Sequence, residues 1–284
     1  MRRWDNSQLR QSADVGVIVT GAGRGIGKRL AMGFAKDNAK VGLISRTERE
    51  LEATKLEIKQ TGGEVFSARA DVRIWNDLSN AIHNLKRKFN SHNAEIDVLI
   101  TAAAIQGPIG PLAEQDPAHW QPVLETNIIG VMHAIRAVLP GMIERRRGKI
   151  IVLTGGGSDA GRPHFSAYAM SKTAIVRMVE TVAEEVREFN IQINCFSPGG
   201  AYTSMTDEIL SAGDRAGLME IERAEKVRVT GGVSADKQIQ VAQFLASERS
   251  NHISGKLIHV TDDMKKLEQA NMTADVLTLR RLKL

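Results

Sequence analysis

Apolar and polar positions follow two rhythms along this chain. Short, β-branched, nearly all-apolar runs lie at Val15 to Thr20, Lys40 to Ser45, Val65 to Ala70, Asp97 to Thr101, Lys149 to Thr154, Ile191 to Ser197 and Lys256 to Val260. Such runs are expected for strands covered on both faces. Between them, Ile26 to Lys36, Glu48 to Gln60, Asn76 to Lys88, Trp120 to Ile143, Ser166 to Phe189 and Ala235 to Ala246 carry the helical period. Repeated strand–helix units predict the α/β class: a doubly wound parallel sheet of about seven strands with helices on both faces.

Two stretches break the rhythm. Thr203 to Gly232 is polar, Met-rich and carries Gly213, Gly217, Gly231 and Gly232, and reads as a mobile insertion with helical pieces. Met264 to Leu284 is a charged tail expected to be helical. No linker or internal repeat marks a second unit. One domain is therefore expected over residues 1–284, with its core from about 13 to 262, although the length alone would allow roughly two.

Composition narrows the class without naming a function. Hydrophobic residues at 42% and charged residues at 25% exclude whole-chain disorder, collagen and coiled coil. No uninterrupted apolar run reaches the ~18 residues of a membrane span. The basic N-terminus, MRRWDNSQLRQSADVG, lacks the apolar stretch of a secretory signal. A lone cysteine, Cys195, cannot form an internal disulfide, which fits a cytoplasmic protein. The net charge of +5 is spread along the chain, and its densest cluster, Arg145 to Arg147 with Lys149, reads as a solvated helix end beside a turn. With only 4% aromatic residues, nucleic acid is not an expected partner. No metal-ligand motif is present in the sequence.

The first candidate for chemistry is a glycine loop. Val15 to Thr20 runs into Gly21-Ala-Gly-Arg-Gly-Ile-Gly27 and then a helix. Glycines permit close backbone approach, and a helix N-terminus offers free N–H groups to an anion. The second is Tyr168 with Lys172, which share one helix face at i, i+4. A free phenol, with a pKa of ~10, is a poor acid at neutral pH, and a neighbouring ammonium is expected to lower it.

Gly21, Gly25 and Gly27 follow the spacing T-G-x-x-x-G-I-G. With Asp71-Val72 after the third strand, Asn127 in Asn-Ile-Ile-Gly, Tyr168-Ala-Met-Ser-Lys172, Asn194, and Pro198-Gly199 to Thr203, the sequence resembles the short-chain dehydrogenase/reductase family from about Val15 to Val260. The resemblance implies a Rossmann-like fold and hydride transfer between a nicotinamide and a carbonyl or secondary alcohol. It further implies that Tyr168 passes the proton, that Lys172 also binds the nicotinamide ribose, and that Asn127 holds a water leading from Lys172 to solvent. The implied dinucleotide contacts are Gly21, Arg24, Gly25, Ile26, Gly27, Ser45, Arg46, Asp71, Val72, Ala103, Tyr168, Lys172, Pro198, Gly199 and Thr203. Analogy, together with the many apolar positions on the two longest helices, implies a homo-oligomer, a tetramer or a dimer.

Charge sets the expected cofactor. The second strand ends Ile44-Ser45-Arg46 with no acid to accept from a ribose 2′-hydroxyl, and Arg46 and Arg24 suit a 2′-phosphate. NADP is therefore expected over NAD. Two positions depart from the family. Thirteen residues before Tyr168, where a serine usually donates to the substrate, stands Gly155. Thr154 at a strand end is the favoured replacement, and Ser158 beyond the glycine run is the other. Thr101-Ala102-Ala103-Ala104 replaces the usual Asn-Asn-Ala-Gly. The missing serine also motivates a rival reading, a cofactor-binding protein with little turnover. The substrate pocket is expected among Gln106 to Pro111, Gly155 to His164 and Tyr202 to Gly232. There Arg162 and His164 meet either water or an anionic or hydroxyl-rich substrate, and a sugar, an acyl thioester and a cyclic ketone all stay open.

Overall fold

A computed structural model describes residues 15–279. Residues 1–14, with the basic N-terminus, and the last five of the expected tail lie outside the described residues. In chain order the elements are β1 (Val15–Thr20), α1 (Gly25–Lys36), β2 (Lys40–Ser45), α2 (Glu48–Gln60), β3 (Val65–Arg69), α3 (Trp75–Asn90) and β4 (Glu95–Thr101). They continue with α4 (Gln121–Leu124), α5 (Gly130–Arg145), β5 (Gly148–Leu153), α6 (Ser166–Glu185), β6 (Ile191–Ser197), α7 (Ser204–Ala212), α8 (Leu218–Thr230), α9 (Ala235–Ala246), β7 (Leu257–His259) and α10 (Met264–Gln269).

The strands form one parallel sheet in the order β3-β2-β1-β4-β5-β6-β7. Alternate residues of β1 serve opposite faces. Val17 and Val19 pack with Leu30 and Phe34 of α1 and Val241 and Phe244 of α9. Ile18 packs on the other side with Leu78 and Leu85 of α3, Val131 of α5 and Ile175 of α6. Burying each such side chain contributes about 1.5–3 kcal/mol. The strand order reverses at β1, so the loops leaving β1 and β4 diverge and open a crevice at the carboxyl ends of the strands.

The region expected as one helix from Trp120 to Ile143 is interrupted. Between α4 and α5, Glu125–Ile129 forms a π turn, and Asn127 within it is fully buried. By mean hydropathy the stretch Pro117–Arg145 is long and apolar enough to cross a membrane, although no uninterrupted run is. Here its Val131, Ala134, Ile135, Val138 and Met142 join the core under the sheet. The arginine cluster does end a helix, but its members are paired: Arg145 with Glu95 at 3.2 Å and Arg147 with Asp97 at 3.4 Å.

The tail departs from its expected helix. Only Met264–Gln269 is helical. The chain then returns to the sheet edge, where Leu277 O accepts from Leu257 N of β7 at 2.8 Å and Leu279 N donates to Glu180 Oε1 at 2.8 Å. An unpaired strand edge exposes backbone donors and acceptors, and this irregular segment covers part of it. The stretch from Thr203 to Gly232 folds into α7 and α8 above the crevice. Ile209, Ala216 and Ala224 there form a third apolar cluster with Phe165 and Tyr168.

Candidate active site

The turn between β1 and α1 is shaped by its glycines. Gly21 and Gly25 have φ of 67° and 57°, and a Cβ on Gly27 would lie 2.3 Å from Gly21 O. The first turn of α1 has no side-chain cap and no acid, so its N–H groups face the crevice uncompensated. The crevice is a cleft of about 250 Å³. Of the expected contacts, Gly21, Arg24, Gly25, Ile26, Gly27, Ser45, Arg46, Val72, Ala103, Thr154, Tyr168, Lys172, Pro198 and Thr203 line it. Those features fit a dinucleotide: a cradle any side chain would fill, an open helix end, and basic groups at the far margin.

Other expected residues stand apart from the cleft wall. Asp71 lines the neighbouring groove along β3 and α3 instead, and Arg73 grips its carboxylate at 2.7–3.1 Å. The Asp71 carboxyl sits below its usual range: hydrogen bonds and charge from Arg73 outweigh the opposing effect of burial. Gly199 (φ 71°) turns the backbone against Val233 and Val260. Ser158 Oγ is buried without a hydrogen-bond partner but lies off the cleft. Both Nδ2 protons of Asn127 are taken by protein, donated to Ile105 O and Ser171 Oγ at 3.0 Å each, while Oδ1 accepts from Ile105 N at 2.9 Å and keeps one acceptor site. It thus ties the loop after β4 to α6 beside Lys172. Pi turns re-aim one helix side chain in this way, often at functional sites.

Tyr168 and Lys172 project from α6 into the cleft, 7% and 2% exposed. Lys172 Nζ donates to Leu153 O at 3.0 Å and stands 5.5 Å from the Tyr168 ring centre. Burial brings the ammonium down to about 8. The expected lowering of the phenol does not follow. Burial pushes Tyr168 up, and the cation opposing that rise is the Arg162 guanidinium. Arg162 stands 5.6 Å from the ring centre, whereas Lys172 is directed to a backbone carbonyl.

Gly155 has a steric reason. A Cβ there would lie 2.7 Å from the Tyr168 hydroxyl, so the phenol occupies the space a side chain would need. Thr154, at the end of β5, is 4% exposed, lines the cleft, and has an unpartnered Oγ1. Buried hydroxyls normally find a partner, so this one is available to a ligand.

Sequence reasoning missed several groups that the fold delivers. Glu50 and Glu208 line the cleft near Arg24, and Glu50 pairs with it at 3.8 Å. Arg46 lies 4.0 Å from Asp71. Glu220 on α8 reaches Arg162. Their separation in sequence leaves no motif by which to find them. The three segments expected to build a pocket do meet: Gly110 N donates to His164 O at 2.9 Å, and Arg215 Nε donates to Ile109 O at 3.3 Å.

Comparison with known proteins gives consistent results. A family model described as short chain dehydrogenase matches residues 16–213. The 3-oxoacyl-acyl-carrier-protein reductase FabG of Staphylococcus epidermidis is 31% identical over 248 residues, covering 87% of this chain and 97% of its own length. Among solved structures, a gluconate 5-dehydrogenase from Burkholderia cenocepacia in complex with NADP and tartrate superposes with a TM-score of 0.75. It is 26% identical, with 92% of this chain and 97% of that one covered. An actinorhodin polyketide ketoreductase with NADPH shares the fold at a TM-score of 0.80 and 24% identity, covering 92% and 100%.

Proposed function

The chain belongs to the short-chain dehydrogenase/reductase family of NAD(P)-dependent oxidoreductases, and from that premise we propose that it transfers hydride between NADP and a carbonyl or secondary-alcohol substrate. The observation that carries this reading is the meeting of Tyr168, Lys172 and the unpartnered Thr154 hydroxyl on one wall of a glycine-floored cleft. The Gly21 to Gly27 turn and the open end of α1 would hold the diphosphate. Arg24 and Arg46 flank Ser45 and would hold the 2′-phosphate. Both arginines are exposed and stand 3.8 and 4.0 Å from their present partners, so exchange for a phosphate costs little. Ile26, Val72, Ala103, Pro198 and Thr203 would line the bound dinucleotide, which supplies or accepts the hydride.

The remaining work falls to the chain's own residues. Tyr168 gives its proton to the carbonyl oxygen in reduction and takes it back in oxidation. Lys172 would bind the nicotinamide ribose and, once charged, favour the phenolate. Thr154 donates to the substrate oxygen as charge builds there, an interaction worth ~10²–10³ in rate in comparable sites. Asn127 keeps the loop after β4 and α6 in register and would hold the water that leads from Lys172 to solvent. A cytoplasmic setting is supported by the single buried thiol, Cys195. A homo-oligomer is supported by the apolar groove where Ile135, Leu139 and Ile143 of α5 meet Met178 and Val182 of α6.

Tyr168→Phe tests the reading. Removing one hydroxyl leaves the ring packing intact. Turnover of a panel of ketones with NADPH should fall by at least ~10²–10⁴, while the NADPH dissociation constant holds. Full turnover in the variant overturns the mechanism. The rival reading, a cofactor-binding protein with little turnover, is favoured by Gly155 in the serine position. NADPH binding by the parent without turnover of any ketone would select it.

A further inference from the structure

Beside the phenol sits an ion cluster that dinucleotide binding does not use. Arg162, on the loop after β5, donates from Nε and Nη2 to Glu220 Oε2 of α8 at 3.0 and 2.6 Å. Glu220 Oε1 accepts from Arg223 Nη1 at 2.7 Å. The Arg162 and Glu220 side chains are 13% and 11% exposed. The guanidinium carbon lies 3.9 Å from the Phe165 ring centre and 5.6 Å from that of Tyr168. Residues 155–157 are all glycine, so no side chain of that run intervenes. A Cβ on Gly156 would meet the guanidinium carbon at 3.9 Å, and one on Gly155 would meet the Tyr168 hydroxyl at 2.7 Å.

Two features mark this cluster as incomplete. Two guanidiniums, Arg162 at 13% and Arg223 at 69% exposed, share one carboxylate, so the cluster carries one positive charge in excess. Nη1 of Arg162 also donates no hydrogen bond among the described residues, while Nε and Nη2 are both engaged. A guanidinium binds carboxylates two bonds at a time, and Glu220 takes only Nε and Nη2 here, which leaves Nη1 for a second anion. The same loop holds His164 in the left-handed region, φ 70°, with Nδ1 buried and unpartnered. Strain and unpartnered polar groups of this kind gather where ligands bind.

We propose that Arg162 determines substrate specificity by binding a carboxylate that lies one or two carbons from the reacting carbonyl, making the substrate a 2- or 3-oxo acid or the matching hydroxy acid. The carboxylate takes the open edge of Arg162 as the carbonyl oxygen meets Tyr168. Glu220, still held by Arg223, fixes the guanidinium plane. Met205, which lines the cleft and packs on the cluster of Phe165, Ile209 and Ala224, would meet the remaining carbon skeleton. The inference rests on the oxidoreductase reading above and deepens it by naming the substrate class.

The test compares 2- and 3-oxo acids with their methyl esters and amides, which keep the skeleton and remove the charge. The readout is the ratio of kcat/KM, acid over ester. The parent should favour the acid by about 10- to 100-fold, the worth of a charge-assisted hydrogen bond. Arg162→Gln should bring that ratio close to one, and Arg162→Lys, which keeps the charge but loses the fork, should retain part of it. A parent without preference overturns the proposal. So does an Arg162→Gln variant that loses acid and ester activity together with the ratio intact, since that is the behaviour of a lid latch alone. Absence of turnover would count against the oxidoreductase reading and not against this one. In that case calorimetric titration of the NADP-loaded protein with a 2-hydroxy acid and its amide decides. Binding of the acid over the amide, lost in Arg162→Gln, supports the site, and equal binding of both overturns it.

Discussion

Replacing Lys172 with methionine should abolish turnover and yet make the protein no less stable at neutral pH. The side chain is 2% exposed and its ammonium is brought down from 10.5 to about 8 by burial. At pH 7 the folded state therefore bears a charging cost of about 3 kcal/mol relative to the unfolded chain, at 1.36 kcal/mol per pKa unit. Methionine removes that cost and fills the same space, while leaving Leu153 O without its donor, a loss of about 1–3 kcal/mol. The two effects nearly cancel, so the variant should lie within about 2 kcal/mol of the parent, most of that on the stable side.

The pH dependence is sharper than the absolute value. Below pH 8 Lys172 is charged in both folded and unfolded chains, and the cost is fully present. Between 8 and 10.5 the unfolded chain binds more protons than the folded one, so the parent gains stability with rising pH. Urea denaturation of parent and Lys172→Met at intervals from pH 7 to 10 measures the difference, in which other titrating groups cancel. The parent should improve relative to the variant by up to about 1.4 kcal/mol per pH unit above 8. A difference that stays flat over that range, or that falls, refutes the argument that burial dominates the electrostatics of this lysine.

Three further outcomes are expected. Thr154→Val should lower turnover by ~10²–10³ with little change in NADPH affinity, whereas Ser158→Ala, off the cleft, should leave turnover close to the parent; steady-state kinetics with fluorescence titration separates them. NADPH should bind more tightly than NADH, with Arg46→Ala narrowing the gap; equal affinities in the parent at fixed salt would remove the role given to Arg24 and Arg46. Gly155→Ala should displace the Tyr168 hydroxyl, since the added Cβ would lie 2.7 Å from it, and so reduce turnover while NADPH binding holds.

What could be read from the sequence follows from the range of the forces involved. β1, β2, β6, α2 and α9 run between the expected residues because buried strands and amphipathic helices are written in local periodicity. The glycine turn and the Tyr168–Lys172 pair were equally legible, being contiguous or one helical turn apart. The break in the Trp120 to Ile143 helix was not, because it depends on Asn127 bonding to Ile105 and Ser171, both distant in sequence. The path of the tail is not legible for a similar reason: the open donor of Leu257 on β7 captures Leu277, a contact that local periodicity does not encode. The electrostatics of Tyr168 depended on Arg162, six residues earlier, folding back over the ring, and the partner of Arg162 came from α8, beyond any spacing rule.

The π turn around Asn127 carries a geometric debt along the helix. An α-helix advances ~100° per residue, so one residue more in a turn rotates everything beyond it by about that angle. The apolar stripe of α5 at Val131, Ala134, Ile135, Val138 and Met142 faces the sheet only with that rotation in place. The helix is thus written in two phases, and Asn127 sits at the joint. Deleting a single residue from Glu125–Ile129 would restore an unbroken α-helix, yet swing the stripe toward solvent and turn Asn127 away from Ile105. The placement of this buried asparagine and the core packing of α5 are therefore one specification, and a length change in this helix alters both together.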